Sequence, residues 1–149
     1  MMISKYLFII VLLLLPTLAV AQQIENLELD EYQWENRLLL IFSPSTDMAD
    51  YQQQLQELEG DEAGLEDRDL KVFHLLREDA AFVDDEKIAQ SQVKEMVGRF
   101  KVNPRAFTVI LIGKDGTEKL RQNVPLSTEE LFSVIDAMPM RQREMQDGG

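Results

Sequence analysis

Arg37-Leu38-Leu39-Leu40-Ile41-Phe42-Ser43-Pro44-Ser45 sets five apolar residues in an unbroken run and then stops it with a proline between two serines. So short a run, without polar alternation, is the pattern of a central strand covered on both faces. From Asp47, the expected N-cap, Met48, Tyr51, Leu55 and Leu58 recur in steps of three and four, which predicts an amphipathic helix. Gly60 to Asp69, with two glycines and mostly acidic side chains, reads as a solvated loop. Leu70 to Leu76 is the next strand, carrying His74, and Arg77 to Asp84 is a connector. Asp84 or Asp85 is expected to cap a second helix whose Ala89, Val93, Met96, Val97 and Phe100 share a face.

Farther along, Asn103-Pro104 turns the chain into Phe107 to Ile112, a third strand rich in β-branched residues. Lys114-Asp115-Gly116 is a tight-turn signal, so Thr117 to Arg121 is expected to return as a hairpin partner. Ser127-Thr128-Glu129-Glu130 is a capping box that opens a last helix through Leu131, Phe132, Ile135 and Met138. Pro139 limits it, leaving Met140 to Gly149 as a polar tail. In the other direction, Gln22 to Asn36 is a polar lead-in that lays Ile24, Leu27, Leu29, Tyr32 and Trp34 on the domain. The order strand, helix, strand, helix, strand, strand, helix predicts an α/β fold with a mixed sheet and helices on both faces. That is the thioredoxin arrangement, with an ordered core expected over about residues 32–139.

Composition bounds what such a domain can do. The 149 residues are 45% hydrophobic and 28% charged, with 27 Asp and Glu against 15 Lys and Arg, a net charge of -12. A chain this acidic repels nucleic-acid phosphate and anionic lipid, so neither is expected as a partner. Cysteine is absent and histidine occurs once, which removes disulfides, thiolate catalysis, Cys-ligated zinc and His-rich metal sites. No cofactor is implied. Lys5, the apolar run Tyr6 to Val20 and the small residues Ala19-Val20-Ala21 read as a secretory signal over residues 1–21, shorter than a spanning helix and interrupted by Pro16. Cleavage there leaves residues 22–149 as one extracytoplasmic domain, periplasmic or secreted, with 14 basic and 27 acidic side chains. No membrane attachment is expected after cleavage.

Three blocks carry a resemblance: Trp34 to Pro44, Phe107-Thr108-Val109-Ile110-Leu111-Ile112-Gly113-Lys114-Asp115-Gly116, and Ile135-Asp136-Ala137-Met138-Pro139-Met140-Arg141. With them the chain resembles the uncharacterised bacterial domain-of-unknown-function family 4174, which is related to thioredoxin-like modules in animal extracellular matrix and sushi-repeat proteins. The resemblance covers nearly all of residues 22–149 and implies a fold without an activity. In thioredoxin-like enzymes the reactive thiol follows the first central strand, where the positive end of a helix stabilises a thiolate. The matching stretch here is Ser45-Thr46-Asp47-Met48-Ala49-Asp50, which holds nothing that exchanges a disulfide. The cis-proline position of thioredoxins falls nearest Thr108, with Pro104 about four residues too early.

Each candidate residue carries a structural reading beside a functional one. His74 is either a packed, hydrogen-bonded histidine or a general base. Asp47 and Asp50 are a helix cap or a carboxylate pair. The six acids between Glu59 and Asp69 are a solvated face, their spacing failing the alternating pattern of a calcium loop. Trp34 is a core lid or a recognition aromatic, and Met138, Met140 and Met145 are packing or an adaptable docking surface. Asn103-Pro104-Arg105 is a turn, or it presents a guanidinium at the strand ends, where open α/β sheets bind ligands. The expected function is a binding module without redox activity. Its groove is formed by Ser43, Ser45, Asp47, Asn103 and Arg105 and takes an unknown protein, a peptide or a small anionic ligand. The alternative is a non-thiol enzyme, perhaps hydrolytic, using His74 with Asp47 or Arg105.

Overall fold

The computed structural model describes residues 22–148, so the signal expected over residues 1–21 lies outside them. Arg37–Ser43 (β2) forms the middle of the molecule and is buried along its whole length, as an unbroken apolar run requires. Its side chains divide by the two-residue period of a strand. Leu38, Leu40 and Phe42 enter one core with Phe73, Leu75, Val93 and Met96, while Leu39 and Ile41 enter a second with Tyr51, Val109, Leu131 and Ile135. Two cores, one on each face of a single sheet, are the expected α/β arrangement.

Among the described residues that sheet has seven strands. Besides β2 they are Gln23–Ile24 (β1), Leu70–Leu76 (β3), Ala81–Val83 (β4), Glu86–Ile88 (β5), Thr108–Ile112 (β6) and Glu118–Gln122 (β7), in the order β1-β5-β4-β3-β2-β6-β7. β3 runs parallel to β2 in the register Arg37 with Leu70 and Ser43 with Leu76, and β6 runs antiparallel with Phe42 opposite Thr108. The end of β2, the end of β3 and the beginning of β6 therefore share one edge of the molecule. Ala49–Leu58 (α1), Glu62–Asp67 (α2) and Thr128–Asp136 (α4) cover the Leu39 face, and Gln90–Arg99 (α3) covers the other. The lead-in packs as expected, with Leu27 and Leu29 buried and Leu29–Tyr32 wound into a 3-10 turn.

Several expectations are corrected. The acidic stretch is not a loop, since Glu62–Asp67 is helical despite Gly64. Phe132 of α4 packs so tightly there that a Cβ on Gly64 would come within 2.7 Å of its ring, so a larger residue would force the ring to shift. Asp84 and Asp85 cap no helix. They form the turn between β4 and β5, with Asp84 left-handed (φ 49), and α3 begins at Gln90. The N-cap of α1 is Met48 and not Asp47. Residues Met140 to Asp147 are not a tail but belong to a helix, Pro139–Asp147 (α5), started by the proline expected to stop α4. Trp34 is no lid. It is 61% exposed and left-handed (φ 70), and its N–H donates to the Lys114 carbonyl at 2.6 Å.

Candidate functional site

The edge where β2 and β3 end is built first by its backbone. Ser43 is buried and its Oγ donates to the Ser45 carbonyl at 2.9 Å. The segment after it is fastened to the loop beyond β3, with Arg77 N–H donating to Ser43 O and Glu78 N–H to Pro44 O. The Asp79 carboxylate accepts from both the N–H and the hydroxyl of Thr46, at 2.7 and 3.0 Å. Gln52 of α1 then donates to the Thr46 carbonyl at 2.6 Å. The segment after β2 is thus tied down at Ser43, Ser45 and Thr46 by hydrogen bonds within itself, to Asp79 and to Gln52.

Beside this segment, across the start of β6, lies a groove of about 510 Å³. Met48 and Asp50 form one wall, and Lys101, Asn103 and Arg105 form the other. Thr108, Arg121 and Asn123 line its base, where Thr108 Oγ1 donates to Asn123 Oδ1 at 3.1 Å. Asn103 shapes the loop. Its Oδ1 accepts from Arg105 N–H at 3.0 Å and its carbonyl accepts from Ala106 N–H, a side chain standing in for a turn. Pro104 is trans within it. Of the residues expected at this edge, Asn103 and Arg105 line the groove. Ser43, Ser45 and Asp47 lie in the neighbouring segment outside its lining.

The groove is basic within an acidic chain. Arg121 is held by Glu118 in a two-pronged pair at 2.7 and 2.8 Å and donates to the Phe100 carbonyl. Lys101 and Arg105 make no ion pair among the described residues, and Asp50 is the one carboxylate in the lining. Lys101, Arg121 and Asn123 were not legible as site residues. Only the antiparallel pairing of Val109 with Gln122 brings the end of β7 to this edge.

His74 stands elsewhere, on β3 facing α1. Its Nδ1 is 2.9 Å from the Tyr51 hydroxyl and its ring stacks on Phe82 at 4.2 Å. Burial pushes the imidazole down to about 4 and, with the Asp79 charge adding to it, pushes the Tyr51 phenol up to about 12. The ring is therefore neutral at physiological pH. Asp47 and Arg105, its proposed hydrolytic partners, line neither depression that His74 borders, and no serine or threonine does. Among the described residues no group of three or more His, Asp or Glu is placed to hold a metal ion.

The family model described as Domain of unknown function (DUF4174) matches residues 28–144. Among curated proteins the chain is similar to Coiled-coil domain-containing protein 80 of Danio rerio, with 29% identity over 140 residues, covering 83% of this chain and 16% of that protein. It is also similar to Sushi repeat-containing protein SRPX2 of Xenopus laevis and of Homo sapiens, at 27% and 23% identity over 120 residues, covering 78% of the chain and 26% of each relative. The chain therefore spans about a quarter or less of the length of these relatives. Among solved structures it is similar to the reduced 2-Cys peroxiredoxin of Plasmodium vivax, with TM-score 0.57, 12% identity, and coverage of 78% of this chain and 85% of that one. That likeness establishes the thioredoxin-like fold and nothing further.

Proposed function

We propose that this chain, which belongs to the DUF4174 family, is a thioredoxin-like binding module that holds an anionic group of a partner at its strand-end groove and performs no thiol chemistry. The observation that carries this reading is the pair of cations Lys101 and Arg105, without an ion-pair partner among the described residues, beside a groove at the sheet edge of a chain with net charge -12. A planar guanidinium pairs with carboxylate or phosphate through two parallel hydrogen bonds, and the Asn103 turn fixes the backbone that carries it. The partner class is an acidic peptide, a protein segment or a small anion, met outside the cytoplasm in keeping with the export signal read in residues 1–21.

Calorimetric titration with the acidic peptide acetyl-Glu-Asp-Glu-Asp-amide tests the reading. Arg105→Ala is expected to weaken binding by about tenfold, and raising salt to weaken it further. A control that neutralises Asp61, Glu62 and Glu66 together, none of which pairs with a cation among the described residues, is expected to leave affinity unchanged or raise it. Loss of binding in that control with unchanged affinity in Arg105→Ala would refute the site.

A further inference from the structure

α1, α4 and α2 do not close the whole of their face of the sheet. Between α1, α2 and β4 the floor of β3 stays open, and two adjoining depressions of about 400 and 550 Å³ meet there. They share Glu62, Leu65, Val72 and His74. The floor is apolar and half-buried, with Val72 and Leu65 beside the His74 ring and its stacked Phe82. The rim is acidic, with Lys71 as its one cation.

Two of the rim carboxylates are already occupied, Asp84 by Lys71 at 2.6 Å and Asp69 by Lys114 at 2.7 Å. Glu59, Glu62 and Glu66 make no ion pair among the described residues. Glu62 and Glu66 stand one helical turn apart on α2, a like-charge spacing that disfavours the free helix. The imidazole adds a directional group. His74 Nδ1 is the one partner of the Tyr51 hydroxyl among the described residues, and the tautomer in which that hydroxyl donates, satisfying its buried proton, carries the ring proton on Nε2. That N–H has no acceptor among the described residues.

We infer that this depression is a docking groove for a basic segment of a partner protein, a stretch with Lys or Arg on both sides of an apolar side chain. The apolar side chain covers Val72 and the His74–Phe82 stack, the cations meet Glu59 on one side and Glu62 and Glu66 on the other, and a backbone carbonyl accepts the Nε2 proton. Charge selects this occupant over a symmetric pairing with a second copy of the chain, whose identical rim would be repelled, and over nucleic acid or an anionic membrane. The groove stands apart from the Arg105 edge and has the opposite sign, so the two sites fail or hold independently.

The test is an NMR titration of the chain with acetyl-Lys-Lys-Phe-Lys-Lys-amide, following the Val72 methyl and His74 ring signals, with the Gly-for-Phe peptide as its charge-only counterpart. The expected result is saturable shifts at Val72, His74 and Phe82. Removing the aromatic, or combining Glu59→Gln, Glu62→Gln and Glu66→Gln, is expected to weaken binding by about tenfold. Neutralising these exposed acids relieves repulsion, so folding is retained, and Val72→Ser provides a second variant that alters the floor alone. The inference is overturned by no shift at about 5 mM peptide, by equal affinity of the two peptides, by unchanged affinity in the triple variant, or by a dimer interface found over Val72.

Discussion

Arg37 is 1% exposed, and its guanidinium donates to the Arg68 carbonyl at 2.9 Å and to both Glu144 oxygens at 3.1 and 3.2 Å. Burial alone would raise the Glu144 carboxyl, but hydrogen bonds from Lys114 and Arg37 outweigh it and hold the acid below its usual range. Arg37→Met leaves Glu144 with Lys114 and, at 3.7 Å, Arg141, and is expected to cost about 3 kcal/mol in urea unfolding, with Arg37→Lys recovering part of the loss. His74 shows a linkage of the same sign from a different cause, burial of the neutral ring. Its folded value of about 4 lies below the ordinary 6.5, so the unfolded chain binds more protons between them. The stability this histidine contributes is complete above pH 6.5 and is lost as pH falls toward 4. His74→Leu is expected to flatten the dependence of the unfolding midpoint between pH 6.5 and 5. An unchanged slope would contradict the burial of the neutral ring. At this scale the sequence was informative about His74, because its apolar neighbours on β3 announce packing. It was misleading for Trp34, since a turn that makes tryptophan left-handed leaves no mark in composition.

Pro139–Asp147 shows why whole elements escaped the sequence. Its one buried residue is Arg141, so it carries no apolar stripe. What holds it is long-range charge. Arg141 pairs with Asp67 and with Asp136 at 3.2 Å, and Glu144 meets Arg37 and Lys114 across the sheet end. Deleting residues 139–149 strands the buried Arg37 and is expected to lower stability by about 3–5 kcal/mol in chemical denaturation. An unaltered midpoint would show the helix to be merely appended. α2 escaped for the same reason, being held through Phe132, over which Arg68 lies at 3.9 Å, and through the Arg68–Asp136 pair at 2.7 Å. β4 and β5, three residues each, are too short to show a period. By contrast β2, β3, β6 and the Ser127 box announce themselves within a few residues. Ser127 Oγ accepts from Glu130 N–H at 3.2 Å, and Ser127→Ala is expected to cost about 1 kcal/mol in thermal unfolding.

Across the whole molecule, two surfaces of opposite sign border α1, a basic edge at the sheet end and an acidic groove over β3. The basic edge follows from topology, because β2 and β3 end where β6 begins and β7 finishes, gathering Lys101, Arg105 and Arg121 from separate parts of the chain. The acidic groove follows from incomplete cover of β3 by α1 and α2. Asn103 and Arg105 could be read beforehand, since a turn before a strand declares its position, whereas the rest of the lining required the register. Whether an anion is held at the basic edge is read directly by an amide chemical-shift map of the chain titrated with acetyl-Glu-Asp-Glu-Asp-amide. Shifts are expected at Met48, Asp50, Lys101 to Thr108, Arg121 and Asn123, diminishing with salt and absent from Val72 and His74. Shifts missing from Lys101 to Thr108, or concentrated on another face, would contradict anion binding at that edge.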